Sequence, residues 1–191
     1  DAFFNRDGDR LVTLERGRIA RLWDTVTGRP VTQGITHGLE TPTAAFSHDG
    51  KRLAIAGSGE NHQARIYDTT TGQATTPVLA HANLVQRVAF SPNDRWLITS
   101  HESGVCLWDA ASGAPVSLPL QGVEALRDLV FSSDGQWIAT CAGTSSALHL
   151  RGTWQVQIWR AATGEAIAPA RPLAGMQPQL VFSPDGHWLA V

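Results

Sequence analysis

The sequence of 191 residues predicts an all-β fold built from repeated units, as in a propeller or a solenoid. Two short motifs recur along it and support this prediction. The first is an alternating apolar strand that ends in an aromatic residue and is followed by a turn closing on Gly, as in Val105–Gly113. The second is a strand ending in Phe, followed by a tight turn and another strand. No segment of useful length has the apolar period of a helix.

The first motif predicts a strand whose successive side chains point to opposite faces of a sheet. An Asp at the start of the following turn is expected to bond to that turn, and Gly ends it. The fourth copy has Arg160 in place of Asp, so we expect its turn to lack that bond. The copies are Arg21–Gly28, Arg65–Gly72, Val105–Gly113 and Gln157–Gly164.

The second motif predicts a β-hairpin whose turn contains a left-handed residue, because Asp-Gly or Asn-Asp closes each turn. Its Phe residues are Phe4, Phe46, Phe90, Phe131 and Phe182. From each strand aromatic to the next Phe the step is always 23 residues, whereas from Phe to the following aromatic it is 19, 21, 18 and 28. The length variation therefore lies in the connection between the second and third strands of each unit.

Proline-bearing segments occupy the fourth strand position of the units. Proline lacks a backbone N–H and is confined to edge strands, so we expect four antiparallel strands with the Phe strand at one edge. The segments are Pro30–Thr32, Thr76–Leu79, Pro115–Leu120 and Ala166–Pro169. The corresponding repeat units are approximately 1–29, 30–74, 75–114, 115–165 and 166–191.

Composition argues against several classes of partner. The formal net charge is −2 without a run of basic residues, which disfavours nucleic acid. No apolar run approaches the ~20 residues of a membrane span, so no membrane association is predicted. Cys106 and Cys141 are interpreted as small buried apolar residues, which suits a reducing compartment and a cytoplasmic location.

The sequence has none of the motifs that mark common catalytic sites, such as a phosphate-binding loop or a paired metal-ligating motif. The recurring Asp residues are interpreted as turn residues. His62 is expected to be exposed, and His101 and Glu102 are expected in a loop, so they are not interpreted as metal ligands. We therefore predict a protein that is not an enzyme, with no catalytic, cofactor-binding or metal-binding residues.

The units resemble the WD-repeat family, on Leu22–Asp24, Ile66–Asp68, Leu107–Asp109 and the five Phe hairpins. The resemblance implies a β-propeller of four-stranded antiparallel blades: three complete blades, plus partial blades at both ends, within a larger ring. The remaining blades would come from the same chain or another copy. The resemblance also implies a buried hydrogen-bond network in the third unit. Its members would be His81, Thr99 or Ser100, Glu102 and Trp108.

The long connection at residues 142–153 is the main candidate site. Its unit spans 28 residues between aromatics against 18 in the preceding unit. Leu148, Leu150 and Trp154 alternate, so they could extend the hairpin and present an apolar patch beside Arg151. The candidate partner-binding residues are Ser145, Leu148, His149, Leu150, Arg151 and Trp154. The alternative is a tolerated surface insertion, since lengthening a loop costs only ~0.6 kcal/mol per doubling.

The expected function is a non-enzymatic interaction scaffold or sensor module that binds protein or peptide partners through loops on the propeller face. The turns also resemble bacterial WD-repeat arrays, which implies a second possibility: a regulatory C-terminal propeller of a bacterial Ser/Thr kinase or NTPase. A propeller enzyme with a site at the central channel and a purely structural spacer are further alternatives.

Overall fold

A computed structural model describes residues 1–15, 19–37, 40–58, 62–116, 120, 123, 126–145, 152–175 and 178–191. Within these ranges the regular secondary structure consists of β-strands. No helix there is long and apolar enough to cross a membrane. The first two sheets contain β1 (Ala2–Phe4), β2 (Arg10–Glu15), β3 (Ile19–Asp24), β4 (Ile35–Thr36), β5 (Glu40–Phe46), β6 (Arg52–Ser58), β7 (Gln63–Asp68) and β8 (Leu79–Ala80).

Three more sheets follow along the chain. Their strands are β9 (Arg87–Phe90), β10 (Trp96–His101), β11 (Gly104–Asp109), β12 (Leu126–Phe131), β13 (Trp137–Ser145), β14 (Gly152–Arg160), β15 (Glu165–Ala166), β16 (Arg171–Gly175), β17 (Val181–Phe182) and β18 (Leu189–Ala190). The sheet orders are β1-β2-β3-β4, β5-β6-β7-β8, β9-β10-β11, β12-β13-β14-β15 with β16 beside β14, and β17-β18.

The order of the strands confirms the predicted blade. Each Phe-ending strand lies at one edge of its sheet. In the first four sheets, the strand whose last residue but one is Trp or Tyr lies third. In the first sheet Leu11 of β2 pairs with Trp23 of β3, and in the second Leu53 pairs with Tyr67. These pairs are antiparallel, as are those of the fourth and last sheets and the pair of β9 with β10.

The outer strand differs from the continuous segment that the sequence predicted. Pro30 makes an isolated bridge to Trp23, and regular pairing resumes only at β4. In the fourth sheet the outer edge is divided between β15 and β16, which pair with different parts of β14. The physical reason is that proline has no N–H to donate and therefore interrupts the ladder.

Left-handed residues occur in all five Phe hairpins, as predicted. Four of them are glycines, whose φ lies between 69° and 72°, and the fifth is Asp94, at 57°. The glycines are Gly8, Gly50, Gly135 and Gly186. The conformation is less costly for glycine than for residues with a Cβ, and Asp tolerates it better than most.

The chain forms two compact units, one of Asp1–His101 with Trp108–Ala114 and one of Glu102–Leu107 with Pro115–Val191. Alternating strand residues fill a core in each. A cluster in the first unit includes Val12, Leu22, Leu53 and Ile55, all without exposed surface. A cluster in the second comprises Ala139, Cys141, Trp154, Val156 and Leu180. Neither Cys106 nor Cys141 forms a disulfide, and burial raises the pKa of both thiols.

Candidate functional site

The long connection forms a strand extension. β13 and β14 pair over nine positions, from Trp137 with Arg160 to Ser145 with Gly152. The corresponding strands β2 and β3 of the first sheet pair over six. At ~3.3 Å per residue, three more pairs lengthen the hairpin by about 10 Å. We call these last three pairs, Gly143–Ser145 with Gly152–Trp154, the arm.

A third strand supports the arm. β16 pairs with β14 from Val156 with Arg171 to Gly152 with Gly175, so β14 has a neighbour on both sides along the arm. An isolated two-stranded hairpin is marginally stable in water, whereas three strands with an apolar face can be stable. The insertion is therefore part of the sheet as far as Ser145 and Gly152.

Trp154 is buried rather than part of an exposed patch. Its side chain is 6% exposed and belongs to the core cluster that contains Cys141, Val156 and Leu180. The neighbouring Thr153 and Gln155 are exposed, as expected on the opposite face of the strand. The expectation that Trp154 presents an apolar surface to a partner is therefore not met, because the pairing register turns it towards the core.

Gly143 lies opposite Trp154 in the arm. A Cβ added at Gly143 would overlap the carbonyl oxygen of Thr153 and lie 2.9 Å from Cα of Trp154. Real Cβ atoms do not approach backbone atoms so closely, so any other residue here would displace the strand. The arm consequently requires Gly at this position.

The other candidate contact residues belong to the tip of the long connection. Leu148, His149, Leu150 and Arg151 lie outside the described residues, and Ser145 ends β13 opposite Gly152. The structure thus defines the stem that carries these residues. Their role in binding remains a prediction.

The network in the third blade is centred on Thr99, which is fully buried. Trp108 Nε1 donates to the Thr99 hydroxyl at 2.9 Å, and His81 Nε2 is hydrogen-bonded to the same hydroxyl at 2.7 Å. The rings of His81 and Trp108 meet edge to face, with their centroids 5.1 Å apart. Of the two hydroxyl residues that the sequence offered, Thr99 therefore joins the network. Ser100 is buried beside it, and its backbone pairs with that of Arg87.

Glu102 does not join this network, contrary to the expectation. It is exposed in the turn between β10 and β11. A buried carboxylate is costly unless it is paired, and the bonded groups of the network include no cation that would compensate it. Nδ1 of His81 is buried and makes no hydrogen bond with the part of the chain that the structure describes.

The Trp–Thr bond repeats in other blades. Trp23 Nε1 donates to Thr13 at 3.0 Å, and Trp159 Nε1 donates to Thr140 at 2.9 Å. This bond therefore satisfies a Trp ring nitrogen inside a repeated blade core, which is a structural role.

The turn aspartates have the predicted structural role. Asp109 Oδ1 accepts from the backbone N–H and the hydroxyl of Ser112, both at 2.8 Å. Asp24 and Asp68 bind Thr27 and Thr71 in the same way. These hydrogen bonds lower the pKa of all three carboxyl groups. In the fourth turn, the carbonyl oxygen of Arg160 accepts the backbone N–H groups of Thr163 and Gly164, and Arg160 has no carboxylate to add a side-chain bond, as expected.

Asp94 has a structural role that the sequence did not reveal. Its carboxylate accepts the backbone N–H groups of His48 at 2.7 Å and Asp49 at 2.8 Å, and so joins the β9–β10 hairpin to the β5–β6 hairpin. Arg52 reinforces the junction by donating to the Ala110 carbonyl at 3.0 Å. The signal in the sequence was Asn-Asp where the other hairpins have Asp-Gly.

A histidine cluster was also missed. His101 is buried at the end of β10, although it was expected in a loop, and His62 is half-buried, although it was expected to be exposed. The ring centroids of His81 and His101 are 6.1 Å apart. Across the described ranges, no group of three or more His, Cys, Asp or Glu side chains could hold a metal ion.

Comparison with known proteins identifies the repeats. The family model described as WD domain, G-beta repeat, matches residues 73–109 and 120–149. Two segments of the chain therefore match the WD repeat. The first matched segment contains the Phe90 hairpin and the Trp108-Asp109 strand, and the second contains the Phe131 hairpin. No curated protein sequence matches the chain.

Solved structures show the fold of the whole chain. Kuenenia stuttgartiensis hydrazine synthase matches with 16% identity and a TM-score of 0.69, over 97% of this chain and 53% of that one. The β-propeller domain of Myceliophteria thermophila Cps50 (Swd1) matches with 19% identity and a TM-score of 0.69, over 98% and 60%. The fold is therefore that of part of a β-propeller, and the chain spans less than two thirds of either structure.

Proposed function

We propose that this WD-repeat protein is a non-enzymatic interaction scaffold or sensor module, and that a protein or peptide partner docks at the arm. WD-repeat propellers generally serve as scaffolds for protein interactions, and this chain shares their blades. The absence from the sequence of the common catalytic motifs agrees with the proposal.

The observation that carries the proposal is the extension of one hairpin by three residue pairs with a third strand beside it. Loops on a rigid scaffold are where repeat proteins place binding residues. In contrast, polar side chains in the turns at the opposite ends of the strands bond within their own turn, as the Asp109 carboxylate does with Ser112. The arm is thus the feature in which this blade differs most from its neighbours.

The solvent side of the arm has a polar character. Thr153 of the arm and the adjacent Gln155 are exposed on β14, and Pro172, which pairs with Gln155, is exposed on β16. Together with the tip residues, this surface would offer hydrogen-bond donors, one guanidinium and apolar leucines. Such a mixture of an apolar centre and a polar rim suits a protein or peptide.

The test shortens the tip without breaking the sheet. Replacing residues 146–151 with Asn-Gly leaves a two-residue turn between Ser145 and Gly152, which are already paired. Affinity purification with quantitative mass spectrometry would then compare the intact and shortened chains. We expect the shortened chain to fold normally and to lose a partner that the intact chain recovers.

A control at the other end of the same hairpin makes the test specific. Ala162→Glu changes an exposed residue in the turn after β14, beyond Arg160. This variant should recover the partner as the wild-type chain does. Equal recovery by the shortened chain, confirmed by titration with the purified partner, would refute docking at the arm.

We further propose that additional blade strands, from this chain or another copy, cover the β17–β18 hairpin. Trp188 is 75% exposed, whereas Trp96 at the same repeat position is 6% exposed. Val181 is exposed on the same hairpin. Sedimentation velocity should show self-association of the 191-residue chain that Trp188→Ser weakens; identical sedimentation of the two would count against coverage by a second copy.

The proposal also places the protein in the cytoplasm. Its support is that neither Cys106 nor Cys141 forms a disulfide, which suits a reducing compartment.

A further inference from the structure

Three histidines meet at one end of the β7–β8 ladder. Gln63 pairs with Ala80, and the next residues, His62 and His81, lie opposite each other, with His81 N–H donating to the His62 carbonyl at 3.1 Å. Directly opposite residues on antiparallel strands place their side chains on the same face. His101, at the end of β10, lies 6.1 Å from His81 between ring centroids.

The surroundings of His81 suit a neutral ring. Its Nε2 is bonded to Thr99, and one side of it faces the edge of Trp108. Nδ1 of His81 and Nδ1 of His62 are both buried without a hydrogen bond to any described residue. A protonated imidazole donates from both ring nitrogens, and Nδ1 of His81 has no acceptor within hydrogen-bond distance among the described residues.

The charged groups that act on His81 would oppose its protonation. Among the described residues, these are His62 from the start of β7 and His101 from the end of β10, which are cations when protonated. Trp108 on β11 carries no charge, and Glu102 is exposed in the turn between β10 and β11. The carbonyl oxygens of Leu79 and His62 are the polar groups that favour the charged ring.

We propose that His62, His81 and His101 form a pH-sensitive switch that holds the β8–β9 connection (residues 81–86) closed at neutral pH and releases it in acid. Two backbone bonds hold the connection, His81 N–H to His62 and Gln86 N–H to the Ser100 carbonyl at 2.8 Å. The side chain of Val85, within the connection, is buried and only 1% exposed. Protonated histidines repel each other across the first of these bonds.

The direction of the effect follows from the pKa values. Burial, followed by His101, lowers the pKa of His81 from 6.5 to about 4, and burial also lowers the pKa of His101. An opened connection exposes His81, which then takes up a proton near pH 6.5. Acid therefore favours the open form between pH 6.5 and 4, by about 30-fold at pH 5 if His81 regains its ordinary pKa.

Hydrogen exchange of the full chain at pH 7.5 and 5.0 tests the switch. After correction for the intrinsic pH dependence of exchange, the protection of the His81 and Gln86 amides should fall about 30-fold at pH 5. The amides of Trp96 and Gly113, which bond elsewhere in the same unit, should change less than about threefold. No change, or a uniform change at all four amides, would overturn the proposal.

Variants separate the cluster from general acid sensitivity. His81→Gln removes the titrating ring and should abolish the pH dependence at Gln86. His62→Asn leaves the His81–Thr99 bond and should reduce the loss of amide protection at pH 5. This variant provides the test if His81→Gln does not fold. His187→Gln is the control, because His187 is exposed in the β17–β18 turn. A fall that is the same in His62→Asn as in the wild-type chain would contradict the switch.

Discussion

Thr99 shows how one buried hydroxyl determines the identity of its neighbours. It satisfies the ring nitrogen of Trp108 and binds His81 at the same time. In the second blade the aromatic residue is Tyr67, and Ile55 occupies the position of Thr99 two residues beyond the paired Leu53. Tyrosine has no ring N–H, so an apolar neighbour leaves no such donor unsatisfied.

Trp108→Ala tests how much Trp108 and its hydrogen bond to Thr99 contribute to stability. We expect it to lower the free energy of unfolding by roughly 3–5 kcal/mol, because it leaves a large cavity in the core. Trp108→Phe keeps most of the ring and should cost about 1–2 kcal/mol, mainly through the lost hydrogen bond to Thr99. Chemical denaturation measures both, and a wild-type midpoint for Trp108→Ala would contradict the burial.

Asp109→Ala tests the turn at the residue scale. The variant loses the acceptor for Ser112 and should be less stable by about 1 kcal/mol at pH 7, as for other capping residues. Hydrogen bonds from Ser112 hold the pKa of Asp109 below 3.8, so the stabilisation is complete above that pH and is lost as pH falls below it.

The wild-type and Asp109→Ala midpoints should therefore converge in acid. Denaturation at a series of pH values between 7 and about 2.5 would follow the convergence. Arg160→Ala, in the fourth turn, removes no carboxylate and serves as the control. A constant difference between wild type and Asp109→Ala down to the lowest pH would show that the carboxylate has no such role.

At the scale of elements, the sequence predicted the blades well because their signals are local. Alternation, the Phe hairpin and the Trp-Asp turn depend on residues within a few positions of each other. The orientation of Trp154 depends instead on the register of β13 and β14 and on the pairing of β14 with β16. The paired residues of β14 and β16 are fifteen to twenty-three positions apart in the sequence, and Trp154 and Leu173 are nineteen apart. Alternation alone could not decide which face of the arm would be covered.

Gly143→Ala tests the close approach within the arm. The added Cβ would meet the backbone of Thr153 and Trp154, so we expect a loss of about 1–3 kcal/mol and faster amide exchange in the arm and β16. Gly8→Ala is the comparison, because a Cβ there meets nothing within 4 Å and the cost comes only from its φ of 72°. Wild-type exchange in the arm of Gly143→Ala would refute the steric argument.

On the scale of the whole molecule, the repeat predicted the all-β propeller blades, and both the family model and the solved structures agree with it. The repeat could not predict contacts between hairpins that lie more than forty residues apart. Asp94 binds the backbone of His48 and Asp49 across such a separation. The histidine cluster escaped prediction for a similar reason, since three strands have to meet to form it.

The chain combines turns that are closed by their own hydrogen bonds with one hairpin, β13–β14, that is longer than its counterpart in the first sheet. Hydrogen–deuterium exchange of the intact chain, with and without the partner that it recovers, tests this most directly. We predict that the partner protects 141–145, 152–156 and 171–175 and leaves the Asp109–Gly113 turn unchanged. Protection of that turn, with unaltered exchange throughout the arm and β16, would contradict the account.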